Sequence, residues 1–292
     1  MGMSKAALLI GLATLIGVGL WAALTAYPCS VRSECLTLHQ AIQSGTASSP
    51  WRYRVLLGTL PGHEIAFAAA HGAALATLYA LLYSYTRSVV PILLVAGIIP
   101  SMFAASWGWV GVMTIVEAAT WAALLLLARR RERNWVRAAL IGLVVFAALN
   151  RETAVFLGVL WLLLTREWRM SAVMVALAAA VFVGLRLTLG AAPDSVPIAD
   201  AWRLNTAGGW HTQNAIVNLS LVIPALLFAL AHRGDMLTRR AVWIAVLYIP
   251  VAAIFGLWNE TRLLLPVLAV CALRIQHGDT KTIRQDFSPY WQ

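Results

Sequence analysis

The chain has 292 residues, 61% of them hydrophobic and only 12% charged, with a mean hydropathy of +0.77 and a formal net charge of +10. That composition excludes an ordinary water-soluble domain and points to an all-α, polytopic membrane bundle, because so much apolar surface needs lipid to cover it. The positive charge does not point to nucleic acid: the arginines are spread between apolar runs, a placement that suits membrane topology and headgroup contact.

Taken in order, the apolar runs predict ten crossings in one membrane domain over 1–292, near 6–27, 64–85, 88–106, 109–128, 135–149, 154–165, 171–189, 214–232, 240–258 and 263–273. The first run is long enough to remain as a span rather than a cleaved signal. Ten crossings put both termini on one side. The positive-inside rule makes that side cytoplasmic, since it then collects most of the 22 Lys and Arg. The expected location is a bacterial inner membrane.

Two outer loops are long enough to carry structure. The first, 28–63, holds Glu34 and Trp51-Arg52-Tyr53-Arg54, and reads as an interfacial amphipathic segment with the aromatics at headgroup level. Arg52 and Arg54 suit a lipid phosphate or pyrophosphate, or else a general anchor to anionic headgroups. Glu34 is the single carboxylate of this loop, either a general base near a cavity mouth or a solvated loop residue. Cys29 and Cys35 flank the start of the loop at a spacing that permits a disulfide, whereas Cys271, inside the last apolar run, reads as a packing residue. The second loop, 190–213, reads as an outer lid from its Pro and Gly content.

Between the runs 135–149 and 154–165 stands Asn150-Arg151-Glu152-Thr153. At 1.5 Å per residue these runs reach roughly 22 and 16 Å, short of a ~30 Å hydrocarbon core. Their tip should therefore lie beneath the outer surface, in a water-filled cavity, unless Arg151 and Glu152 simply pair as a turn. The end of the chain repeats the pattern, with Asn259-Glu260-Thr261-Arg262 ahead of another short run. Glu117, several residues into its own apolar run, demands water or a partner, for which Arg151 and Arg262 are the candidates.

His63-Glu64 and His71 share a helical face, yet no His-x-x-x-His pair or Cys cluster accompanies them, so no metal site is assigned. Small residues around His71 leave room for a flat ring such as a tetrapyrrole, or mark close helix packing. The absence of a Gly-rich phosphate loop or an HExxH motif argues against a nucleotide-driven pump or a zinc protease.

Trp51-Arg52-Tyr53-Arg54-Val55-Leu56, Ile115-Val116-Glu117, Leu149-Asn150-Arg151-Glu152-Thr153-Ala154 and Glu260-Thr261-Arg262-Leu263-Leu264-Leu265-Pro266 together resemble bacterial multi-span proteins of the GT-C glycosyltransferase class. The resemblance implies a GT-C-like fold and a transferase taking a sugar from a polyprenyl-phosphate donor on the extracytoplasmic face. Carried over, Glu34 is the base, with Glu117 or Glu152 as substitutes. Arg52 and Arg54 hold the lipid phosphate, while Arg151, Glu152, Glu260 and Arg262 line the cavity, with Asn150 as a further substrate-binding candidate. A divalent metal bridging phosphate and carboxylate is compatible with this chemistry but not required by it. The competing expectation is a non-catalytic integral subunit that binds lipid, pigment or a partner protein.

Overall fold

Nine apolar runs of the sequence fold as helices in the computed structural model. It describes residues 64–104, 111–190, 210–231, 235–255 and 264–275, with Gly11, Ala41, Gln43, Ser44 and Arg203 as isolated positions. The helices are α1 (Glu64–Thr86), α2 (Val90–Ala104), α3 (Gly111–Arg129), α4 (Trp135–Asn150), α5 (Val155–Thr165), α6 (Trp168–Leu189), α7 (Trp210–Ala231), α8 (Met236–Phe255) and α9 (Leu265–Ile275), with one 3-10 turn (Glu152–Ala154) between α4 and α5. No strand occurs among the described residues. The run 6–27, apart from Gly11, and the loop 28–63, apart from Ala41, Gln43 and Ser44, lie outside them. Of the lid expected over 190–213, Gly190, Arg203 and the start of α7 from Trp210 are described, and the rest lies outside the described residues.

Among the described residues, two helices are long and apolar enough to cross a membrane: α3 over Val112–Arg129 and α6 over Trp168–Leu189. The first lies mostly inside the fold and the second almost wholly on its outside. At 1.5 Å per residue α6 reaches roughly 33 Å, a full hydrocarbon thickness, while α4 reaches roughly 24 Å and α5 and α9 roughly 16 Å. Length alone therefore supports fewer crossings than ten.

Burial follows from where the apolar faces meet. α9 is the centre: Leu264 to Arg274 are all buried, enclosed by α1, α2, α3, α7 and α8. Cys271 is among them, a packing residue as its sequence context suggests. α6 packs along both α4 and α5. Its contact with α5 is close enough that Ser171 Oγ donates to the Gly158 carbonyl at 2.8 Å. The outside is equally apolar. Leu93 on α2, Phe146 on α4, Leu187 on α6, Leu227 and Phe228 on α7, and Leu247 on α8 all stand exposed. Exposed apolar surface on so many helices is what lipid, not water, would cover.

The two ends of the bundle differ in charge. Arg129 Nη1 donates to the Tyr85 carbonyl at 2.8 Å, Arg240 Nη1 to that of Leu164 at 2.8 Å, and Arg274 Nη1 to that of Asp235 at 2.6 Å. These bonds tie the ends of α1, α3, α5 and α9 and the start of α8 to one side, and those to Tyr85 and Leu164 occupy carbonyls left over at helix C-termini. That side also carries Arg87, Arg130, Arg131, Arg133, Arg137, Arg166, Arg169 and Arg239, against Glu132, Glu167 and Asp235. Trp135 and Trp168, both half or more exposed, open α4 and α6 at the same level. At the other end the charged residues of the described helices and their junctions are Glu64, Arg151, Glu152 and Arg186, with Glu117 inside.

Candidate functional site

The site begins with a helix that stops. α4 runs to Asn150, and Arg151 then turns to extended backbone (φ −156°, ψ 149°) while its amide still closes the last helical bond onto Ala147 at 2.8 Å. The chain resumes as the short 3-10 turn and enters α5. An isolated helix has no reason to break here. The break aims the next side chains across the bundle at α3.

Three of the four residues of Asn150-Arg151-Glu152-Thr153 grip α3. Asn150 Nδ2 donates to the Met113 carbonyl at 2.9 Å, one turn before Glu117. Arg151 Nη1 pairs with Glu117 Oε2 at 2.8 Å, and Thr153 Oγ1 donates to Glu117 Oε1 at 2.7 Å. A fourth element joins through Tyr248 of α8, whose hydroxyl donates to the same Oε1 at 3.2 Å. Asn150, Glu117 and Arg151 are 2%, 5% and 8% exposed, so a charge pair is sealed inside the fold. Its carboxylate accepts three hydrogen bonds, the condition under which a buried charge is tolerated.

Aromatic rings close the cluster. Tyr248 lies edge-on to Trp121, with centroids 5.1 Å apart, and to Phe156 at 5.8 Å. Trp121 is one turn along α3 from Glu117, so the same face that presents the carboxylate also walls it off. Thr120 Oγ1 is satisfied by its own helix, donating to the Glu117 carbonyl at 2.7 Å.

Where the sequence leads one to expect a hydrated cavity around this tip, the described residues form a latch. The space bounded by Glu117, Thr120, Trp121, Asn150, Arg151 and Thr153 is about 10 Å³, enough for about one water. Partnering explains the difference: a carboxylate and a guanidinium that satisfy each other across two helices need no solvent to offset their burial. Of the two candidates for pairing with Glu117, Arg151 is the partner. Glu152, the second carboxylate at the tip, is exposed.

Comparison with known protein families, curated proteins and solved structures finds no match to this chain.

The remaining candidates divide simply. Glu34, Arg52, Arg54, Glu260 and Arg262 lie outside the described residues. His71 is 2% exposed on α1, faces the bundle interior, and does not line the open groove beside it. No cluster of three or more His, Cys, Asp or Glu that would hold a metal occurs among the described residues. Tyr248 is the member of the cluster that sequence reasoning missed. Its signal was a phenol in the middle of an apolar run, which needs a polar partner once buried.

A second cavity lies on the outside of the bundle. Its floor is α3 and its walls are α1 and α4, lined by Ala70, Ala73, Thr77, Met113, Val116, Ala119, Ala123, Leu143, Phe146 and Asn150, with a volume of about 410 Å³. Thr120 and Asn150 belong to both spaces, so the groove ends where the latch begins.

Proposed function

We propose that the chain is an integral membrane protein whose arginine-rich end faces the cytoplasm and whose Asn150–Thr153 junction lies beneath the opposite boundary. The observation that carries this is the length difference within one packed group. α4 and α6 start at the same arginine- and tryptophan-bearing end, but α4 stops roughly 9 Å before α6 does. Tryptophans at one level with arginines around them are the usual mark of a cytoplasmic headgroup boundary. The ten-crossing bundle, with both termini cytoplasmic in a bacterial inner membrane, belongs to this proposal.

On that frame, the resemblance to GT-C enzymes supports sugar transfer from a polyprenyl-phosphate donor on the outer side. An acceptor hydroxyl attacks the anomeric carbon, its proton passes to a carboxylate, the bond from that carbon to phosphate oxygen breaks, and polyprenyl phosphate leaves with the electron pair. The carboxylate is Glu34 or Glu152. Glu117 is assigned to positioning, because three donors already occupy its carboxyl oxygens and little of it is exposed. Arg52 and Arg54 would take the phosphate.

The test is transfer from a radiolabelled polyprenyl-phosphate sugar by the full chain in liposomes. The reading expects transfer by the parent protein and its loss in Glu34→Gln or Glu152→Gln at unchanged thermal stability. Equal transfer by both variants would refute the assignment. The sealed latch favours a second reading, a non-catalytic subunit, since a buried ion pair held between two helices builds structure rather than chemistry. It expects no transfer and a stoichiometric partner protein on purification.

A further inference from the structure

We infer that the groove between α1, α3 and α4 is a binding site for one hydrocarbon chain carrying a hydroxyl or N–H donor at its head, with Asn150 Oδ1 as the acceptor. The inference rests on the membrane reading above but not on sugar transfer.

The groove is a trough of small side chains. Ala70, Ala73 and Ala74 on one wall and Ala119 and Ala123 on the floor keep it open between the larger Leu81, Met113, Val116, Leu143 and Phe146. From Ala70 to Leu81 it runs roughly 16 Å along α1, parallel to the bundle axis. The exposed Ala73 and Thr77 on one side and Phe146 on the other flank its mouth, which therefore opens outward, where lipid would lie. Its hydroxyls are already used: Thr77 Oγ1 donates to the Ala73 carbonyl at 2.8 Å and Thr120 Oγ1 to that of Glu117 at 2.7 Å. The walls offer a ligand only apolar contact.

Asn150 is different. It is 2% exposed, and its amide nitrogen is fixed on the Met113 carbonyl, which assigns the other side-chain atom as oxygen. That Oδ1 accepts no hydrogen bond among the described residues. An asparagine nearly out of water with an unused acceptor, at the end of an apolar trough, calls for a donor. Annular lipid would satisfy the walls but not this atom. The ligand's head sits at the Asn150 end and its tail runs toward the arginine-rich end, so it belongs to the leaflet opposite those arginines. Isoprenoid alcohols and monoacylglycerols both carry the required donor beside one chain. Should the sugar-transfer reading hold, a hydroxyl placed here would be an acceptor close to Glu152.

The experiment uses the full chain in nanodiscs of phosphatidylcholine and phosphatidylglycerol, with two diazirine probes, a long-chain prenol and a monoacylglycerol, mapped by peptide analysis after irradiation. The expected result is label concentrated in 70–81, 112–123 and 143–150. Ala123→Leu, which fills the floor, should lose it, while Leu187→Ala on α6 should not. Loss of the Asn150 acceptor in Asn150→Leu should weaken retention about fivefold, the worth of one neutral hydrogen bond. Where Ala123→Leu lowers the thermal midpoint, Ala73→Leu at the exposed wall serves instead. Capture of either probe supports the site and names its source. Label spread evenly over α6 and α7, or unchanged in both groove-filling variants, overturns it. Release of the parent protein from membranes by alkaline carbonate would instead sink the membrane reading.

Discussion

Replacing Glu117 by glutamine keeps the side chain's shape and removes its charge, which makes it the sharpest probe of the latch. The amide oxygen can still accept from Thr153 and Tyr248, 2.7 and 3.2 Å from Oε1 in the parent. What is lost is the anion facing Arg151 Nη1 at 2.8 Å, so the buried guanidinium loses its ion pair with position 117. Breaking a buried pair from one side costs about 3–5 kcal/mol, and each kcal/mol shifts the midpoint of a chain this size by about 2–4 °C, so the expected drop is roughly 10 °C. Arg151→Met should cost a similar amount, because the carboxylate is then the uncompensated group. The double variant Glu117→Gln/Arg151→Met should cost less than either single change, since no buried charge remains. Thermal unfolding of the purified full chain, followed by tryptophan fluorescence, reads this directly, with buried Trp121 one turn from the site. A Glu117→Gln midpoint within about 2 °C of the parent, or a double variant as damaged as the sum of the singles, would refute the latch.

Other perturbations follow from the same geometry. Thr153→Val removes a hydrogen bond to a charged acceptor and should cost about 1.5–3 kcal/mol in the same assay, more than Tyr248→Phe with its longer bond. Gly158→Ala would put a Cβ 2.6 Å from Val175 Cγ2 and 3.1 Å from the Ser171 carbonyl oxygen. Prying α5 from α6 should cost about 1–3 kcal/mol, and an unchanged midpoint would mean the two helices are not this close. Arg274→Gln frees the carbonyls of Asp235 and Ala229 at the arginine-rich end, and should accelerate hydrogen exchange at the start of α8 while leaving the Glu117 cluster protected.

Much of this fold is legible in the sequence because lipid-facing and core-facing apolar runs share one signal, length. Runs such as 135–149 and 154–165 emerge as α4 and α5 with ends shifted by a residue or so. The pairing of Glu117 was legible for a physical reason: a carboxylate several residues into an apolar helix must find a cation, and few are near. The same logic misjudged the surroundings. A short hairpin with charges at its tip implies polar company at depth, but sequence does not say whether water or protein supplies it. Here Thr153 and Tyr248 supply it around Glu117, and the space among these described residues is about 10 Å³. The groove left no trace in the sequence, since alanines on two helices make a trough only when a third helix stands off from them.

The central claim, that the Glu152 tip and the arginine turns lie on opposite sides of a membrane, is tested most directly by cysteine accessibility in intact bacterial cells. With Cys29, Cys35 and Cys271 replaced by serine or alanine, Glu152→Cys and Arg131→Cys are each exposed to a membrane-impermeant thiol reagent. The account predicts that Glu152→Cys reacts in intact cells and that Arg131→Cys reacts only after permeabilisation. Labelling of both from the outside, or in the reverse order, would contradict it.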